Sequence, residues 1–271
     1  MNSARIIKNI RFELDSYLKH NLSLKTLVIG ISGGLDSAIC AALARPICDL
    51  NHISLIGRSI PIKTNKDDEI KRAKEIGIIF CHDFKEVNIE TLYDCTVSSI
   101  NYFEYEPQND NFNKIRLGNI KARLRMIYLY NLAYATQGLV LSTDNLTEYL
   151  LGFWTINGDT GDFGMIQNLW KTEVYKISRF LVQTLRDENK EIAADALYSA
   201  IIATPTDGLG ITNSDLDQIG ASSYEDVDEI LQDYASKPDS IYKNHPVIQR
   251  HLKSQFKRKI PINIPRDTTL L

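Results

Sequence analysis

The sequence predicts an α/β protein with a doubly wound, mostly parallel sheet and helices on both faces. Short apolar runs that suit buried strands, such as residues 27–31 and 139–143, alternate with longer segments whose apolar residues recur at helical spacing. This alternation implies βαβ crossovers, which join parallel strands and place helices against the sheet.

The first third of the chain begins with a predicted helix and continues into three predicted strands. In order, the elements are a helix through 6–18, a strand at 27–31, a helix through 38–43, a strand at 53–62, a surface helix at 66–75 and a strand at 78–81. Asp36 or Ser37 is expected to cap the second helix, and Gly77 is expected to stop the third.

Downstream, the pattern continues with helices around one more strand. The predicted elements are a helix at 119–134 that ends at Gly138, a strand at 139–143, a loop at 152–168 and a helix at 171–186. The tail from Pro205 mixes turns with short helices and ends in a basic cluster at 257–259.

Composition narrows the class of protein. The 271 residues carry a net charge of -3, with 44% hydrophobic and 24% charged residues, so we expect a soluble globular protein without a large basic surface for tRNA or DNA. No apolar stretch is long enough to span a membrane. None of the four cysteines forms a Cys-x-x-Cys pair, and the N-terminus does not read as a signal peptide, so we expect a cytoplasmic protein with no nucleic-acid or membrane partner.

The most informative segment follows the first predicted strand. Residues 32–37 read Ser-Gly-Gly-Leu-Asp-Ser. Gly33 and Gly34 allow a sharp turn and close approach of a ligand, and free N–H groups at a helix N-terminus attract anions. The alternative is a strand-turn-helix corner whose glycines serve packing only. The pattern lacks the Lys of the Gly-x-x-x-x-Gly-Lys loop and is not the dinucleotide fingerprint Gly-x-Gly-x-x-Gly.

This segment resembles the pyrophosphatase loop of the N-type ATP pyrophosphatases, which split ATP between the α and β phosphates. The resemblance implies an adenine nucleotide alpha hydrolase-like, Rossmann-like fold. Ligands of open parallel sheets gather beyond the carboxyl ends of the strands. The glycine loop and the turn at 143–145 both follow such strand ends, so we expect them to share one cleft.

Further segments are similar, in order, to motifs of the NAD synthetase family. They are Asn-Ile-Lys-Ala-Arg-Leu-Arg-Met at 119–126, Ser-Thr-Asp-Asn-Leu-Thr-Glu at 142–148, Leu-Gly-Phe-Trp-Thr at 151–155, Asn-Gly-Asp at 157–159, Trp-Lys-Thr-Glu-Val at 170–174 and Pro-Thr-Asp-Gly-Leu at 205–209. The resemblance implies a single domain over 1–271. It would comprise an N-terminal helix, an ATP pyrophosphatase core over about 25–200 and a substrate-closing segment over about 204–271.

The resemblance also implies a reaction. The family uses ATP and Mg²⁺ to adenylate the carboxylate of nicotinic acid adenine dinucleotide (deamido-NAD), and ammonia then displaces AMP to give NAD⁺. A carboxylate oxygen is a poor leaving group, and adenylation replaces it with a good one. Members are commonly homodimers, so we expect a homodimer. Free ammonia or a separate glutaminase would supply the nitrogen.

Site residues follow from the same resemblance. Those expected to hold the ATP phosphates are Gly30, Ser32, Gly33, Gly34 and Ser37, and Ile31 and Leu35 of the same loop are also expected to bind ATP. Further positions that match ATP contacts are Thr143, Lys171 and Thr206. Asp36 and Glu148 match the Mg²⁺ ligands, and carboxylate oxygens suit this hard cation. Asp36 and Lys171 are the predicted catalytic residues. The predicted substrate contacts are Arg123, Lys257 and, if this loop is one residue shorter than usual, Asp162.

Each of these residues also has a simpler interpretation as a helix cap, a turn hydroxyl or a solvated charge. Two positions depart from the family pattern: Ile156 stands where many members have a substrate-contacting Lys, and Phe256 stands where the His of a His-Lys pair is expected. Three alternatives therefore stay open. They are amidation of nicotinic acid mononucleotide, another ATP pyrophosphatase activity such as tRNA modification, and a non-catalytic nucleotide-binding protein.

Overall fold

The computed structural model describes residues 1–101, 110–206, 214–237 and 241–264. Its five strands form one parallel sheet in the order β3-β2-β1-β4-β5. The strands are β1 (Thr26–Gly30), β2 (Ser54–Ser59), β3 (Asp83–Glu86), β4 (Gly138–Ser142) and β5 (Phe163–Gly164). Because β1 pairs with both β2 and β4, the strand order reverses at β1, and a crevice opens beyond its carboxyl end.

Eleven α-helices surround this sheet within the described residues. They are α1 (Ser3–His20), α2 (Leu35–Leu50), α3 (Asp67–Phe80), α4 (Glu90–Asn101), α5 (Asp110–Ala135), α6 (Leu146–Leu151), α7 (Lys171–Asp187), α8 (Glu191–Ile201), α9 (Asp215–Ile219), α10 (Tyr224–Ser236) and α11 (Pro246–Lys253). None of the described helices has a stretch both long and apolar enough to cross a membrane.

Alternate residues of the central strand point to two separate cores. Leu27 and Ile29 pack with α1, α2, α3, α7 and α8, whereas Val28 packs with α4 and α5. Helices therefore cover both faces of the sheet, which confirms the predicted fold class. A third cluster joins α9, α10 and α11 to α6, through Leu151 at the end of α6.

The prediction that Gly77 stops α3 is wrong. The helix continues to Phe80, so residues 78–81 are not a strand, and β3 starts at Asp83. A Cβ on Gly77 would lie 2.0 Å from the ring of Phe84. The glycine therefore allows β3 to approach the helix closely, and the residues after it form the last turn of α3, in which Phe80 is buried and Ile78 is exposed.

Other helix and strand boundaries also differ from those predicted from the sequence. α2 begins at Leu35 with Gly34 as its N-cap, so neither Asp36 nor Ser37 caps it. α5 ends at Ala135, and Gly138 is the first residue of β4. The two-residue β5 lies inside the segment predicted as a loop. Residues 207–209 of the Pro-Thr-Asp-Gly-Leu motif lie outside the described residues.

Candidate active site

The glycine loop is held in shape by hydrogen bonds among its own residues. The N–H of Ser32 donates to Ser37 Oγ (3.2 Å), whose hydroxyl donates to the carbonyl of Gly34 (3.1 Å). The N–H of Gly34 donates to Ser32 Oγ (3.1 Å). Gly33 has a φ of +84°, and a Cβ there would lie 2.4 Å from the carbonyl oxygen of Glu69. Only glycine fits this turn, because a side chain would meet both backbone strain and the backbone of α3.

Three charged side chains from three helices meet beside this loop. Lys171, the first residue of α7, donates through Nζ to a carboxylate oxygen of Asp36 in the first turn of α2. The same Nζ lies 3.0 Å from Glu148 Oε1 on α6. Asn145, the N-cap of α6, donates to the other oxygen of Asp36 (3.1 Å). The structure thus places both predicted metal ligands and the predicted catalytic lysine together.

The charges in this group are not balanced. Burial, with Asp36 and Asp144 nearby, raises the pKa of Glu148 to about 8 against the opposing effect of Lys171. Burial also opposes the charge on Lys171, but the two carboxylates outweigh it and raise the pKa of the ammonium well above its usual value. With all three groups ionised, two carboxylates face one buried ammonium, so a further cation at the site would favour the ionised form of Glu148.

The donor set of the site fits Mg²⁺. Asp36 and Glu148 supply hard carboxylate oxygens that already converge on one cation, the Lys171 ammonium. Within the described residues no set of three or more His, Cys, Asp or Glu side chains is placed to hold a metal. Mg²⁺ is commonly bound through one or two carboxylates together with substrate phosphates, so two protein ligands suffice when ATP supplies the others.

Two cavities that share a wall open around the charged group. The smaller, about 140 Å³, is lined by the predicted ATP and metal residues Gly34, Leu35, Asp36, Ser37 and Lys171. The larger, about 390 Å³, is lined by Gly30, Ile31 and Lys257. Residues that line both cavities include Ser32, Thr143, Glu148 and Thr206. A still larger depression, about 780 Å³, lies between α7 and α10 and contains none of the predicted site residues.

The predicted substrate residues are divided between the cavity and the surface. Lys257 lines the larger cavity, where its Nζ donates to the carbonyls of Gly152 (2.8 Å) and Trp154 (2.5 Å). Arg123 is exposed outside the cavity and donates through Nε to the carbonyl of Ile156 (3.1 Å). Its role as a substrate contact stays a prediction.

The carboxylate of Asp162 is occupied by structural contacts. It accepts hydrogen bonds from the N–H of Val140 (2.9 Å) and from the hydroxyl of Tyr130 (3.0 Å). Asp162 does not line either of the two cavities. These contacts attach the loop to β4 and α5. The role of Asp162 in substrate binding stays a prediction.

Arg125, Asp144 and Asp159 are three of the charged residues of the cavity that were not singled out from the sequence. Arg125 lines the larger cavity and donates to the carbonyl of Ile60 (3.0 Å), and Asp159 lines the same space. Asp144 lines both cavities, and burial, together with Asp159, raises its pKa to about 6. All three lie within motifs already matched at 119–126, 142–148 and 157–159. A carboxylate or guanidinium inside such a motif was the signal that could have identified them.

Comparison with known proteins identifies the family. The profile described as NAD synthase matches residues 6–261. The chain belongs to the NAD synthase family. This is a family of ligases, so the resemblance and the enzyme class predicted from the motifs are both confirmed.

Curated relatives match almost the whole length of the chain. The chain is 32% identical to an NH(3)-dependent NAD(+) synthetase of Thermoplasma acidophilum, over 93% of this chain and 96% of the relative. It is 33% identical to the protein of the same name from Finegoldia magna, over 96% and 95% of the two chains.

Solved structures support the fold of this NAD synthase family member. An NMN synthetase from Francisella tularensis has a TM-score of 0.79 at 24% identity, and the match covers 98% of this chain and 100% of that one. An NH3-dependent NAD synthetase from Campylobacter jejuni has a TM-score of 0.70 at 24% identity, with the same coverage. At these identities the likeness extends to the fold and does not distinguish between substrates.

Proposed function

We propose that this enzyme amidates nicotinic acid adenine dinucleotide to NAD⁺, using ATP and ammonia and releasing AMP and pyrophosphate. The observation that carries the proposal is the meeting of Lys171, Asp36 and Glu148 beside the glycine loop. Cationic and metal-binding groups of this kind stabilise the negative charge on the phosphate oxygens during transfer of the adenylyl group. The names of the curated relatives, which span the same length, support the dinucleotide as acceptor.

In the first step, the acceptor carboxylate attacks the α-phosphorus of ATP and pyrophosphate leaves. The site residues bind and orient the phosphates, with Lys171 and the N-terminus of α2 offering positive charge and N–H dipoles to the oxygens. Mg²⁺, held by Asp36 and Glu148, would supply further positive charge at these oxygens. Because Lys171 is buried, its charge acts in a poorly solvated space where electrostatic interactions are strong.

In the second step, ammonia attacks the carbonyl carbon of the adenylate, AMP leaves, and the nitrogen gives up a proton. Asp144 and Asp159 line the cavity in which the acceptor would lie. Burial raises the pKa of both carboxyls, in Asp144 to about 6, which suits Asp144 to accept that proton near neutral pH.

The acceptor would occupy the larger cavity. Its wall carries the cationic side chains of Arg125, Arg250 and Lys257, which complement an acceptor that bears phosphates. Phe153 and Trp154 add aromatic surface on the same wall. An apolar and cationic lining of this kind suits a nucleotide.

We also propose that the enzyme is a homodimer that associates through α5. Exposed apolar side chains follow one stripe of this helix: Ile127 is 61% exposed, Tyr130 39% and Tyr134 90%. A stripe of this composition on a soluble protein is typical of an interface, and a second copy of the same stripe would cover it.

Pyrophosphate release tests the proposed activity. Purified protein is incubated with ATP, Mg²⁺ and ammonium, and with nicotinic acid adenine dinucleotide, nicotinic acid mononucleotide or neither. Release that depends on the dinucleotide supports the proposal. Release that depends only on the mononucleotide would keep the chemistry and change the acceptor, and the absence of release with either would contradict the proposal.

A further inference from the structure

The first turn of α7, which carries Lys171, is not capped by its own N-cap residue. That residue is Trp170, whose side chain makes no capping hydrogen bond to the helix. The N–H of Trp170 donates to Glu173 of the same helix (3.1 Å), whereas the next two backbone N–H groups find acceptors on two other helices. The N–H of Lys171 donates to Thr147 Oγ1 on α6 (2.9 Å), and the N–H of Thr172 donates to Asp228 Oδ2 on α10 (3.0 Å).

Asp228 and Thr147 are also joined to each other. The hydroxyl of Thr147 donates to Asp228 Oδ1 (2.5 Å), so the carboxylate uses both oxygens and the hydroxyl serves as acceptor and donor at once. Both side chains are buried, with Asp228 2% exposed and Thr147 0% exposed. Burying a carboxylate costs free energy unless its oxygens accept hydrogen bonds. Here each oxygen of Asp228 accepts one.

This linkage sets the position of two site residues. Thr147 is the neighbour of Glu148 on α6, and the same hydroxyl bonds the backbone of Lys171. Lys171 Nζ and Glu148 Oε1 lie 3.0 Å apart, so the bond between Thr147 and the backbone of Lys171 joins the two residues whose side chains meet in the site. α10 also contacts the lysine directly, because the centre of the ring of Tyr224, one turn before Asp228, lies 5.4 Å from its Nζ.

We propose that Asp228 is a positioning residue for the amidation: from α10 it caps α7 and, through Thr147, fixes the spacing between Lys171 and Glu148. Asp228 does not line either cavity of the active site, so it acts through these two residues and not on the substrates. The proposal rests on the proposed function, since it assigns a residue to that reaction.

The test compares kcat and KM in matched variants. Asp228→Asn keeps the size of the side chain but leaves one acceptor oxygen for two donors, and Thr147→Val removes the hydroxyl with little change of shape. We expect kcat to fall about 10- to 100-fold in both, with KM for the dinucleotide within about 3-fold, because small displacements of catalytic groups have effects of this size. Thr147→Ser, which restores the hydroxyl, should stay close to the wild-type kcat.

Two further variants separate positioning from loss of stability. Val227→Ala removes buried methyl groups from the same helix without touching the linkage, so it should lower the Tm and leave kcat unchanged at temperatures where the protein is folded. The double variant Asp228→Asn with Thr147→Val should be no slower than the slower single variant, since both break one connection.

The outcomes distinguish this proposal from the proposed function. An active wild type with an unchanged kcat in Asp228→Asn would overturn only the positioning role. The positioning role would also be overturned if Val227→Ala and Asp228→Asn both lost kcat in the same proportion to their loss of Tm. A wild type that is inactive with every acceptor would overturn the proposed function itself, and the positioning role with it.

Discussion

Asp36 has two partners in the site, since one oxygen accepts from Lys171 and the other accepts from Asn145. We predict that Asp36→Asn lowers kcat by at least about 100-fold, because it removes a proposed Mg²⁺ ligand and a charge facing Lys171. Circular dichroism and the Tm should show an intact fold. The matched control is Asp67→Asn, an exposed carboxylate in the first turn of α3. A near-normal rate of Asp36→Asn at saturating Mg²⁺ would refute the metal assignment.

Ile156 is the position at which this chain departs from the family's substrate-contacting lysine. We predict that Ile156→Lys changes KM for the acceptor far more than KM for ATP, because its segment lies on the acceptor side of the site, beside Thr155 and Gly158 of the larger cavity. Steady-state kinetics with each substrate varied in turn measure the effect, with Ile78→Lys on the exposed face of α3 as control. Equal changes in both KM values would show that this loop is misplaced in the proposal.

Asp144 should make the stability of the protein depend on pH. Burial raises its pKa from the usual 3.8 to about 6, so the folded protein binds this proton more tightly than the unfolded chain does. The stabilisation is complete below pH 4, declines as pH rises between 4 and 6, and is absent above 6. Asp144→Asn should therefore be more stable than the wild type at pH 7.5, by at most about 3 kcal/mol.

Urea denaturation at several pH values measures this difference. The gap between Asp144→Asn and the wild type should close as pH falls from 6 to 4, because the wild-type carboxyl then becomes neutral as well. A gap that is independent of pH would show that the carboxyl is not the group that titrates.

At the scale of elements, the contact between α3 and β3 depends on Gly77. Alanine normally stabilises a helix interior by up to about 1 kcal/mol relative to glycine. Here we predict that Gly77→Ala destabilises the protein by about 1–3 kcal/mol, because its Cβ would overlap the ring of Phe84. The free energy of unfolding in urea measures the effect.

A second variant provides the control for this contact. Combining Gly77→Ala with Phe84→Ala should make the two substitutions less than additive, because the smaller side chain leaves room for the new methyl group. A Gly77→Ala variant at least as stable as the wild type would contradict the packing explanation.

The end of α3 is a part of the fold that the sequence pattern does not predict. Residues 27–31 and 139–143 were identified as strands because they are short and apolar, and the structure confirms a strand in each. Residues 78–81 have the same appearance, yet residues 78–80 are the end of α3 and Cys81 is its C-cap. A short apolar run has no periodicity that separates a strand from a helix end. The contact with Phe84 that explains Gly77 joins two elements and is invisible in the local pattern.

At the scale of the whole molecule, the motifs predict which residues meet in the site. They do not predict which residues of other elements hold them in position. The loop at 32–37, Glu148 and Lys171 were matched one motif at a time, and the parallel topology brings them to one end of the sheet. Asp228 was missed, because a carboxylate that caps a distant helix leaves no signal in its own sequence neighbourhood. Arg123 and Arg125 differ in exposure because only Arg125 lines the larger cavity, which depends on the rotation of α5.

The proposed dimer makes a prediction at this scale. Tyr134→Glu combined with Ile127→Asp should convert a dimer into a monomer, because it places charges in the middle of the exposed stripe on α5. Sedimentation velocity measures the change. The control is Ile202→Asp, an exposed apolar residue at the end of α8 that is 66% exposed. A wild type that is already monomeric, or a double variant that remains dimeric, would contradict the α5 interface.

The central claim is that the site joins ammonia to the carboxylate of the dinucleotide at the expense of ATP. The most direct test follows the product: wild-type enzyme is given ATP, Mg²⁺ and ¹⁵N-ammonium with nicotinic acid adenine dinucleotide and nicotinic acid mononucleotide together, and the amides are identified by mass spectrometry. We predict ¹⁵N-labelled NAD⁺ in a one-to-one ratio with AMP and pyrophosphate. Label confined to the mononucleotide amide, or ATP cleavage without a labelled amide, would contradict the claim.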